Sequence, residues 1–342
     1  MAAITPALIK ELRERTAAGM SDCKNALVEA EGDIEKAVEV ILKKGIVKAA
    51  SRAGKIAAEG EVATWISPDH KKGVIVEINC QTDFVARGDD FKSLVANIVK
   101  VASTLKKGDD LASQKYPGTE QTIDDVRAAA VGRIGENIVV RRWDLIEAKA
   151  DEHVSSYVHM GGKLAVIAAL EAPPGKNDDA EFKGFVENVG MQIAAMGPLV
   201  VDKSHVSADQ VSKQKEIYQA QMQEELDGAT ARIAELDAAT DLSADELKAE
   251  KKAAESRKGP PQAMWPKVIE GKVAKWYNEV TLHGQDNVWD PTAGSIDKVR
   301  NELGKKLGGT VHIHSFVRFS LGEGIDKKTE DLAAEVAKTI AG

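Results

Sequence analysis

Apolar residues recur every three or four positions through the first part of the chain, which is the spacing of short amphipathic helices. Thr5-Pro6 supplies a capping hydroxyl followed by proline, a typical helix start, and Asp33 supplies a second cap. A glycine is expected to stop each of three helices, and these stops are Gly19, Gly32 and Gly45. Three short helices bury little apolar surface, so we expect a compact helical module that works by docking on a partner.

The pattern then changes to short runs of β-branched residues, which are typical of buried strands. One run, Val74-Ile75-Val76, leads towards Thr82-Asp83-Phe84-Val85, where an acid and an aromatic ring stand together in a predicted loop. The whole chain has only six phenylalanines, so this position for Phe84 needs an explanation. Phe84 either folds back into the core or projects as a wedge that buries itself in a partner. A desolvated aromatic anchor contributes about 2 kcal/mol or more at an interface.

The chain contains an internal repeat. Setting Phe91 on Phe182 aligns two helical segments without gaps, and the same shift sets Val74-Ile75-Val76 on Ala165-Val166-Ile167. A second alignment sets IDDVRAAAVGRIGENIVVRRW on IDKVRNELGKKLGGTVHIHSF. Both copies then have the order strands, helix, helix, strand, which indicates a duplication. We therefore predict an α+β fold in which the helical module precedes a duplicated core with antiparallel sheets.

The repeat provides an internal comparison for the Asp-Phe pair. At the shift that sets Phe91 on Phe182, Thr82-Asp83-Phe84 falls on Pro173-Pro174-Gly175, which is a plain turn sequence. A repeat that closes with a turn in its second copy does not need an acid and an aromatic ring in its first. The architecture therefore does not demand this pair, although a core position for Phe84 stays open.

The second copy carries an insertion between Met196 and about Glu279. Apolar residues there alternate steps of four and three, the spacing of a coiled-coil seam, at Met222, Leu226, Ala229, Ile233 and Leu236. A capping box at Ser243 begins a return helix, and Gly259-Pro260-Pro261 interrupts it. A further helix leads to Val280-Thr281-Leu282, which we expect to be a strand. The pattern predicts an antiparallel helical coiled-coil hairpin that projects from the second copy.

These patterns predict five regions. They are an N-terminal module (1–50), a first core copy (51–150), a second core copy (151–200 and 279–323), the inserted hairpin (201–278) and a C-terminal helix (324–342). Leu332, Val336 and Ile340 would share one face of the C-terminal helix.

Composition limits the function. The 342 residues are 43% hydrophobic and 29% charged, a profile typical of folded proteins with more than one domain. The net charge of -8 argues against a dedicated nucleic-acid binder, because phosphate contacts need a clustered basic surface. Cys23 and Cys80 are far apart and indicate reduced thiols. The longest apolar run, Leu164–Leu170, is too short to span a bilayer, and no targeting segment follows Met1, so we expect a cytoplasmic protein.

Enzymatic motifs are weak in this sequence. His312 and His314 alternate on a predicted strand and could chelate a metal, but no third ligand stands at a suitable spacing. Gly161-Gly162-Lys163 lacks the other residues of a phosphate-binding loop, and no GxSxG, HExxH or GxGxxG occurs. We therefore expect no enzymatic activity, no metal and no cofactor.

An RNA- or ribosome-associated binding module is the alternative reading. Basic residues occur in scattered pairs without interleaved aromatic residues, at Lys43-Lys44, Lys71-Lys72, Arg141-Arg142 and Lys305-Lys306. Such pairs are more typical of an ordinary solvated surface than of a nucleic-acid groove.

Two long stretches resemble a known family. LRERTAAGMSDCKNAL and INCQTDFVAR are similar to stretches of the translation elongation factor Ts family, the bacterial guanine-nucleotide exchange factors. Further similar stretches lie at residues 32–37, 134–138, 279–282 and 316–324, so the resemblance extends over nearly the whole chain. It implies that the N-terminal three-helix module is UBA-like.

The resemblance implies a partner and a set of contact residues. Thr82, Asp83, Phe84 and Val85 match the family motif that dislodges Mg²⁺ from elongation factor Tu, where the aromatic ring wedges between helices of the GTPase domain. The partner would be elongation factor Tu, either GDP-bound or nucleotide-free, with no direct contact to nucleic acid or membrane. Other contacts with Tu are expected at Arg13, Met20, His159, Leu332 and Val336. His159 also suits a simple role in a hairpin turn.

Overall fold

The structure is a computed structural model that describes residues 4–16, 18–240 and 242–326. The C-terminal helix expected over 324–342 lies outside these ranges from residue 327 onward, and with it Leu332, Val336 and Ile340. The boundaries of the five regions stay predictions.

Three helices form the N-terminal part, as predicted: α1 (Pro6–Thr16), α2 (Met20–Glu29) and α3 (Ile34–Arg52). The backbone N–H of Leu8 donates to the Thr5 hydroxyl at 3.3 Å, and that of Lys36 donates to Asp33, so the predicted caps form. The helices share a small core of their own around Leu12 and Leu27.

The first core copy contains three strands and three helices. They are β1 (Glu59–Ile66), β2 (Lys72–Cys80), α4 (Asp83–Arg87), α5 (Asp89–Ala102), α6 (Ile123–Ile134) and β3 (Val139–Glu147). The strands form an antiparallel sheet in the order β1-β2-β3. Phe91 and its neighbours on α5 cover the outer face of this sheet together with α6.

Gly45 does not stop the third helix, and that prediction was wrong. The helix α3 continues to Arg52, and Gly45 lies buried within it. A Cβ atom at Gly45 would come within 3.2 Å of the carbonyl oxygen of Ala128 on α6, and one at Gly132 within 3.2 Å of Gly45 Cα. The glycines therefore allow two helices to approach closely, which outweighs the tendency of glycine to end a helix.

The second copy repeats this plan. It contains β4 (Glu152–His159), β5 (Leu164–Glu171), α7 (Ala180–Met196), α11 (Ile296–Leu307) and β6 (His312–Ser320), with the sheet order β4-β5-β6. The buried positions of α5 recur on α7 at the predicted shift, as Phe91 and Phe182, Leu94 and Phe185, Val95 and Val186, and Ile98 and Val189. The predicted duplication with antiparallel sheets is confirmed.

The strands follow a shift one residue longer than the helices. Alignment by sequence sets Val76 on Ile167, but Val76 packs under α5 whereas Ile167 lies in the core between the two sheets. The true counterpart of Ile167 is Ile75, which lies in the same core. A slip of one residue moves a side chain to the opposite face of a strand, so the predicted strand alignment was wrong by one position.

Residues Met196–Leu303 form a separate compact unit, which contains the insertion and the first part of α11. Within it α8 (Ala208–Ala238) and α9 (Ala244–Arg257) form the predicted antiparallel hairpin, joined by ion pairs such as Lys251–Asp237 at 2.6 Å. A further helix, α10 (Trp265–Val280), runs through the start of the predicted strand, so that strand prediction was wrong. Thr281 N–H donates to Tyr277 O in helical fashion, and Thr281 forms only an isolated bridge with Val200. No helix within the described ranges is long and apolar enough to cross a membrane.

Candidate functional site

The segment after β2 forms a short helix and not the loop expected from the sequence. The Thr82 side chain accepts a hydrogen bond from the backbone N–H of Val85 at 3.3 Å and so caps α4. Gly88 follows in an extended conformation and donates its N–H to the carbonyl of Val85 at 3.0 Å, which ends the helix. Asp83 and Phe84 therefore occupy the first turn of a defined helix.

Phe84 projects into solvent. Its exposed fraction is 81%, the highest of the exposed large hydrophobic residues in the described chain. Its neighbour Val85 turns inward and packs against the core under α5. The core position for Phe84 that the sequence left open is therefore excluded, and α4 presents an apolar ring outward from a face anchored by Val85.

Asp83 shares the surface of α4 with Arg87. Their side chains form an ion pair of 2.7 Å across one helical turn, and the guanidinium is largely exposed. Exposed pairs at this spacing contribute only about 0.3–0.5 kcal/mol. The Asp83 carboxylate can therefore leave Arg87 and accept a hydrogen bond from another protein at a small cost in free energy.

The start of α4 is held by residues that follow α6. Glu136 accepts two hydrogen bonds from Thr82, one from the backbone N–H at 3.0 Å and one from the hydroxyl at 2.7 Å. The next residue, Asn137, donates its backbone N–H to the side-chain oxygen of Gln81 at 3.0 Å. Sequence reasoning did not single out Glu136, although it lies in the second repeat alignment opposite Gly309. The contrast between an acid in the first copy and a glycine in the second is the sequence feature that could have pointed to Glu136.

The other predicted contact residues lie on separate elements. Arg13 is exposed on α1, and Met20 is 61% exposed at the start of α2. Both belong to the helical part with its own small core, away in sequence from α4. Their expected role stays a prediction.

His159 ends β4 and takes part in the turn before β5. Its carbonyl accepts hydrogen bonds from the backbone N–H groups of Gly162 and Lys163 at 3.2 Å, and its ring nitrogen Nδ1 lies 3.1 Å from the Tyr157 hydroxyl. The ring is nevertheless exposed, and the following Met160 is 74% exposed. His159 therefore takes part in the turn through its carbonyl and still presents its side chain to solvent.

The residues considered for metal binding, phosphate binding or nucleophilic chemistry have other roles in the structure. His314 Nε2 lies 2.7 Å from the Glu171 carboxylate. Across the described ranges, no group of three or more His, Cys, Asp and Glu side chains could hold a metal ion. Gly161 and Gly162 adopt positive φ in the hairpin turn. Both cysteines are free and buried, and burial raises the pKa of the Cys80 thiol to about 12, which makes it a poor nucleophile.

At least one member of each basic pair forms an ion pair within the protein. Arg141 and Arg142 donate to Glu77 at 2.9 and 2.5 Å, and the carboxylate of Glu77 is fully buried. Burial by itself raises the pKa of Glu77, but hydrogen bonds from the Gly322 N–H and the two guanidinium groups outweigh it and lower the pKa overall. Other members pair with acids too, in Lys44–Glu29, Lys72–Glu147 and Lys306–Glu181.

Comparison with known proteins identifies the class of this molecule. The model of the family described as "Elongation factor TS" matches residues 81–323. The Elongation factor Ts of Nitratiruptor sp. is 41% identical over 338 residues, which cover 98% of each chain. That of Clostridium tetani is 39% identical over 98% of this chain and 99% of its own, and that of Nautilia profundicola 37% identical over 100% of both.

These relatives place the protein among the translation elongation factors, a class whose members act in protein biosynthesis. Identity above a third, sustained over almost the full length, leaves no large region unaccounted for. The chain belongs to the elongation factor Ts family. The resemblance inferred from its sequence is confirmed.

Proposed function

We propose that this protein is a guanine-nucleotide exchange factor for elongation factor Tu, which displaces Mg²⁺ and promotes GDP release so that GTP can bind. The exposed Phe84 on α4 is the observation that carries the proposal. An aromatic ring held out on a capped helix is suited to insertion between elements of another protein. The protein acts in the cytoplasm without covalent chemistry and is not an enzyme.

Exchange by such a wedge follows from the chemistry of the bound ion. Mg²⁺ requires near-ideal octahedral geometry and links the nucleotide phosphates to the GTPase. A ring that displaces the elements supporting Mg²⁺ therefore weakens nucleotide binding steeply. By linkage, the factor loosens GDP as much as GDP loosens the factor, and each tenfold of this coupling corresponds to about 1.4 kcal/mol.

Additional contacts would supply affinity. The exposed Met20 and Arg13 on the N-terminal helices form one such surface, and the turn with His159 and Met160 forms another. Leu332 and Val336, whose structure lies outside the described ranges, would add a third. Anchors of this kind fix the approach of Asp83 and Phe84 to the GTPase domain.

Release of a fluorescent GDP from elongation factor Tu tests the proposal. The release rate should rise with the concentration of this protein and saturate. Chelation of Mg²⁺ with EDTA should speed release by Tu alone and shrink the additional acceleration, because the ion that the wedge displaces is already gone. Release that is unchanged at any concentration would refute exchange, and an RNA band retarded at physiological salt would then favour the RNA-binding alternative.

A further inference from the structure

Glu136 makes the closest polar contacts to the start of α4. One carboxylate oxygen accepts the backbone N–H of Thr82 at 3.0 Å, and the other accepts the Thr82 hydroxyl at 2.7 Å. The same hydroxyl oxygen accepts the backbone N–H of Val85. A chain of hydrogen bonds thus runs from Glu136 through Thr82 into the first turn of the helix that carries Phe84.

A helix of this length does not hold its own conformation. Isolated helices shorter than about 12–15 residues are marginal in water, and α4 contains only five residues. Val85 and Ala86 pack one face of α4 against the core, which is the first constraint on the helix. The double hydrogen bond to Glu136 supplies the second constraint, and hydrogen bonds to a charged group are stronger than neutral ones.

The segment that carries Glu136 is itself fixed. It follows Gly135, which ends α6 in the left-handed conformation at φ 83°. Asn137 is almost fully buried and donates its side-chain N–H to the Lys55 carbonyl at 2.8 Å. Glu136 therefore projects from a rigid position between these two anchors.

The second copy shows that the fold does not need this contact. The repeat alignments set Thr82 on Pro173 and Glu136 on Gly309. In the structure Gly309 and Pro173 also meet, and a Cβ atom at Gly309 would lie 2.8 Å from the Cβ atom of Pro173. The second copy thus closes the same junction by van der Waals contact between Gly309 and Pro173, with no carboxylate and no capping hydroxyl at these positions.

We propose that Glu136 is a positioning residue for the wedge, which holds α4 in the orientation that presents Asp83 and Phe84 to the partner. This rests on the proposed exchange function. Preorganisation acts on affinity, because a binding-competent state that is only fractionally populated weakens apparent binding by that fraction. Loss of Glu136 should therefore act mainly through the concentration of factor needed and less through the rate at saturation.

The exchange experiment compares Glu136→Ala and Glu136→Gln with Glu187→Ala, an exposed glutamate on α7. The concentration for half-maximal GDP release should rise about tenfold for Glu136→Ala and less for Glu136→Gln, which keeps one acceptor oxygen. Glu187→Ala should behave as the unmodified protein. A fall in the saturating rate alone, with an unchanged half-maximal concentration, would contradict the proposal.

A double-mutant cycle with Phe84→Ala separates positioning from general damage. If Glu136 acts through α4, adding Glu136→Ala to Phe84→Ala should weaken exchange by clearly less than the roughly tenfold expected in the unmodified protein, because only Asp83 is then left to position. Fully additive effects of the two changes would overturn the proposal, since they would mean that Glu136 acts independently of the wedge.

Amide hydrogen exchange in the free protein gives a readout that does not depend on elongation factor Tu. Glu136→Ala should speed exchange at the amides of Val85 and Ala86 while those of α5 keep their protection. Unchanged protection in α4 would refute the positioning role whether or not the protein promotes GDP release. Faster exchange in α4 together with an inactive unmodified protein would support the holding role and refute only the proposed function.

Discussion

The connection after β2 and the connection after β5 occupy the same place in the two copies of the core but are built differently. The first forms a capped helix with Phe84 exposed, tied to Glu136. The second forms a plain turn in which Lys176 donates its N–H to Pro173 O at 2.9 Å. The helices that follow both connections bury the same positions. Since the fold closes this junction in either way, it does not require the exposed ring and the carboxylate contact of the first connection.

The largest expected effect comes from removing the ring that the second connection lacks. Phe84→Ala should slow GDP release by about thirtyfold or more at limiting concentrations, because truncating a desolvated anchor costs about 2 kcal/mol or more of binding. The melting temperature should barely change, because the ring is exposed in the free protein. Stopped-flow GDP release and thermal melting on the same sample measure both quantities.

Phe91→Ala is the matched control for Phe84→Ala. Phe91 is fully buried, so its truncation should cost about 3–5 kcal/mol of unfolding free energy. Exchange per folded molecule should remain normal in that variant. A Phe84→Ala protein that melts early but exchanges normally would reverse the assignment of the two rings.

A smaller effect is expected at the neighbouring acid. Asp83→Asn keeps the size of the side chain and removes its charge, so exchange should fall about tenfold if the carboxylate accepts charge-assisted hydrogen bonds from the partner. The unfolding free energy should change by no more than about 0.5 kcal/mol, since the ion pair with Arg87 is exposed.

Arg87→Gln distinguishes the two possible roles of Asp83. It breaks the same ion pair but leaves the acid in place. If the acid contacts the partner, Arg87→Gln should exchange nucleotide as well as the unmodified protein does or better. Equal losses in both variants would instead assign the effect to the ion pair within α4.

The two copies also differ at one strand position that affects the pH dependence of stability. Glu61 of β1 lies opposite Ile78, and His153 of β4 lies opposite Leu170, which are equivalent places in the two sheets. Burial raises the pKa of Glu61 above 4.5. Burial, with a further contribution from the stacked ring of His70, lowers the pKa of His153 from 6.5 to about 4.

These shifts have opposite consequences. Between pH 6.5 and 4 the unfolded chain takes up a proton at His153 that the folded chain does not, so the free energy of unfolding falls as the pH falls. Glu61 holds a proton longer in the folded chain, so it lowers stability as the pH rises through its raised pKa. His153→Phe should therefore reduce the loss on the acid side. Glu61→Gln should remove the opposing term and steepen that loss.

Urea unfolding between pH 4 and 7.5 measures these slopes. Lys71 and Lys183 lower the pKa of His153 and Asp178 raises it, so all three stay unchanged in the variants. An acid-side slope that is the same with and without His153 would contradict the assignment.

The duplication could be predicted from sequence because buried helix positions carry large apolar residues at fixed spacing. Phe91 and Phe182 fix the shift of the helices. The strands could not be placed as well, because runs such as Val74-Ile75-Val76 look alike at neighbouring shifts. Only the pairing partners and the buried face distinguish two registers that differ by one residue.

Contacts between residues that are far apart in the sequence were the second feature that could not be predicted. From the sequence alone, Gly45 is predicted to end a helix. The structure shows that Gly132 and Ala128 on α6 lie against it, which explains why a glycine stands there within the helix. The exposure of Phe84 depends in the same way on Val85 taking the inward position. Glu136 lies 54 residues beyond Thr82, so no local pattern connects them. Its mismatch with Gly309 in the repeat was visible, but the sequence alone assigns it no contact.

The smallest expected effect concerns the hairpin of α8 and α9, for which the first copy has no counterpart. Replacing residues 225–258 by a short Gly-Ser linker should leave GDP release within about twofold, because the two segments pack on each other through Ala229, Leu236 and Ala254. The cut ends are close in space, since Glu224 and Gly259 line one pocket. The base of the insertion keeps its own core around Met222 and Trp265, so the remainder should fold.

Circular dichroism should show the loss of helix in the shortened protein, and titrated GDP release should show that exchange is unchanged. A large drop in exchange by a folded, shortened protein would mean that the hairpin contacts elongation factor Tu, and the functional difference between the two copies would then extend beyond the connection that carries Phe84.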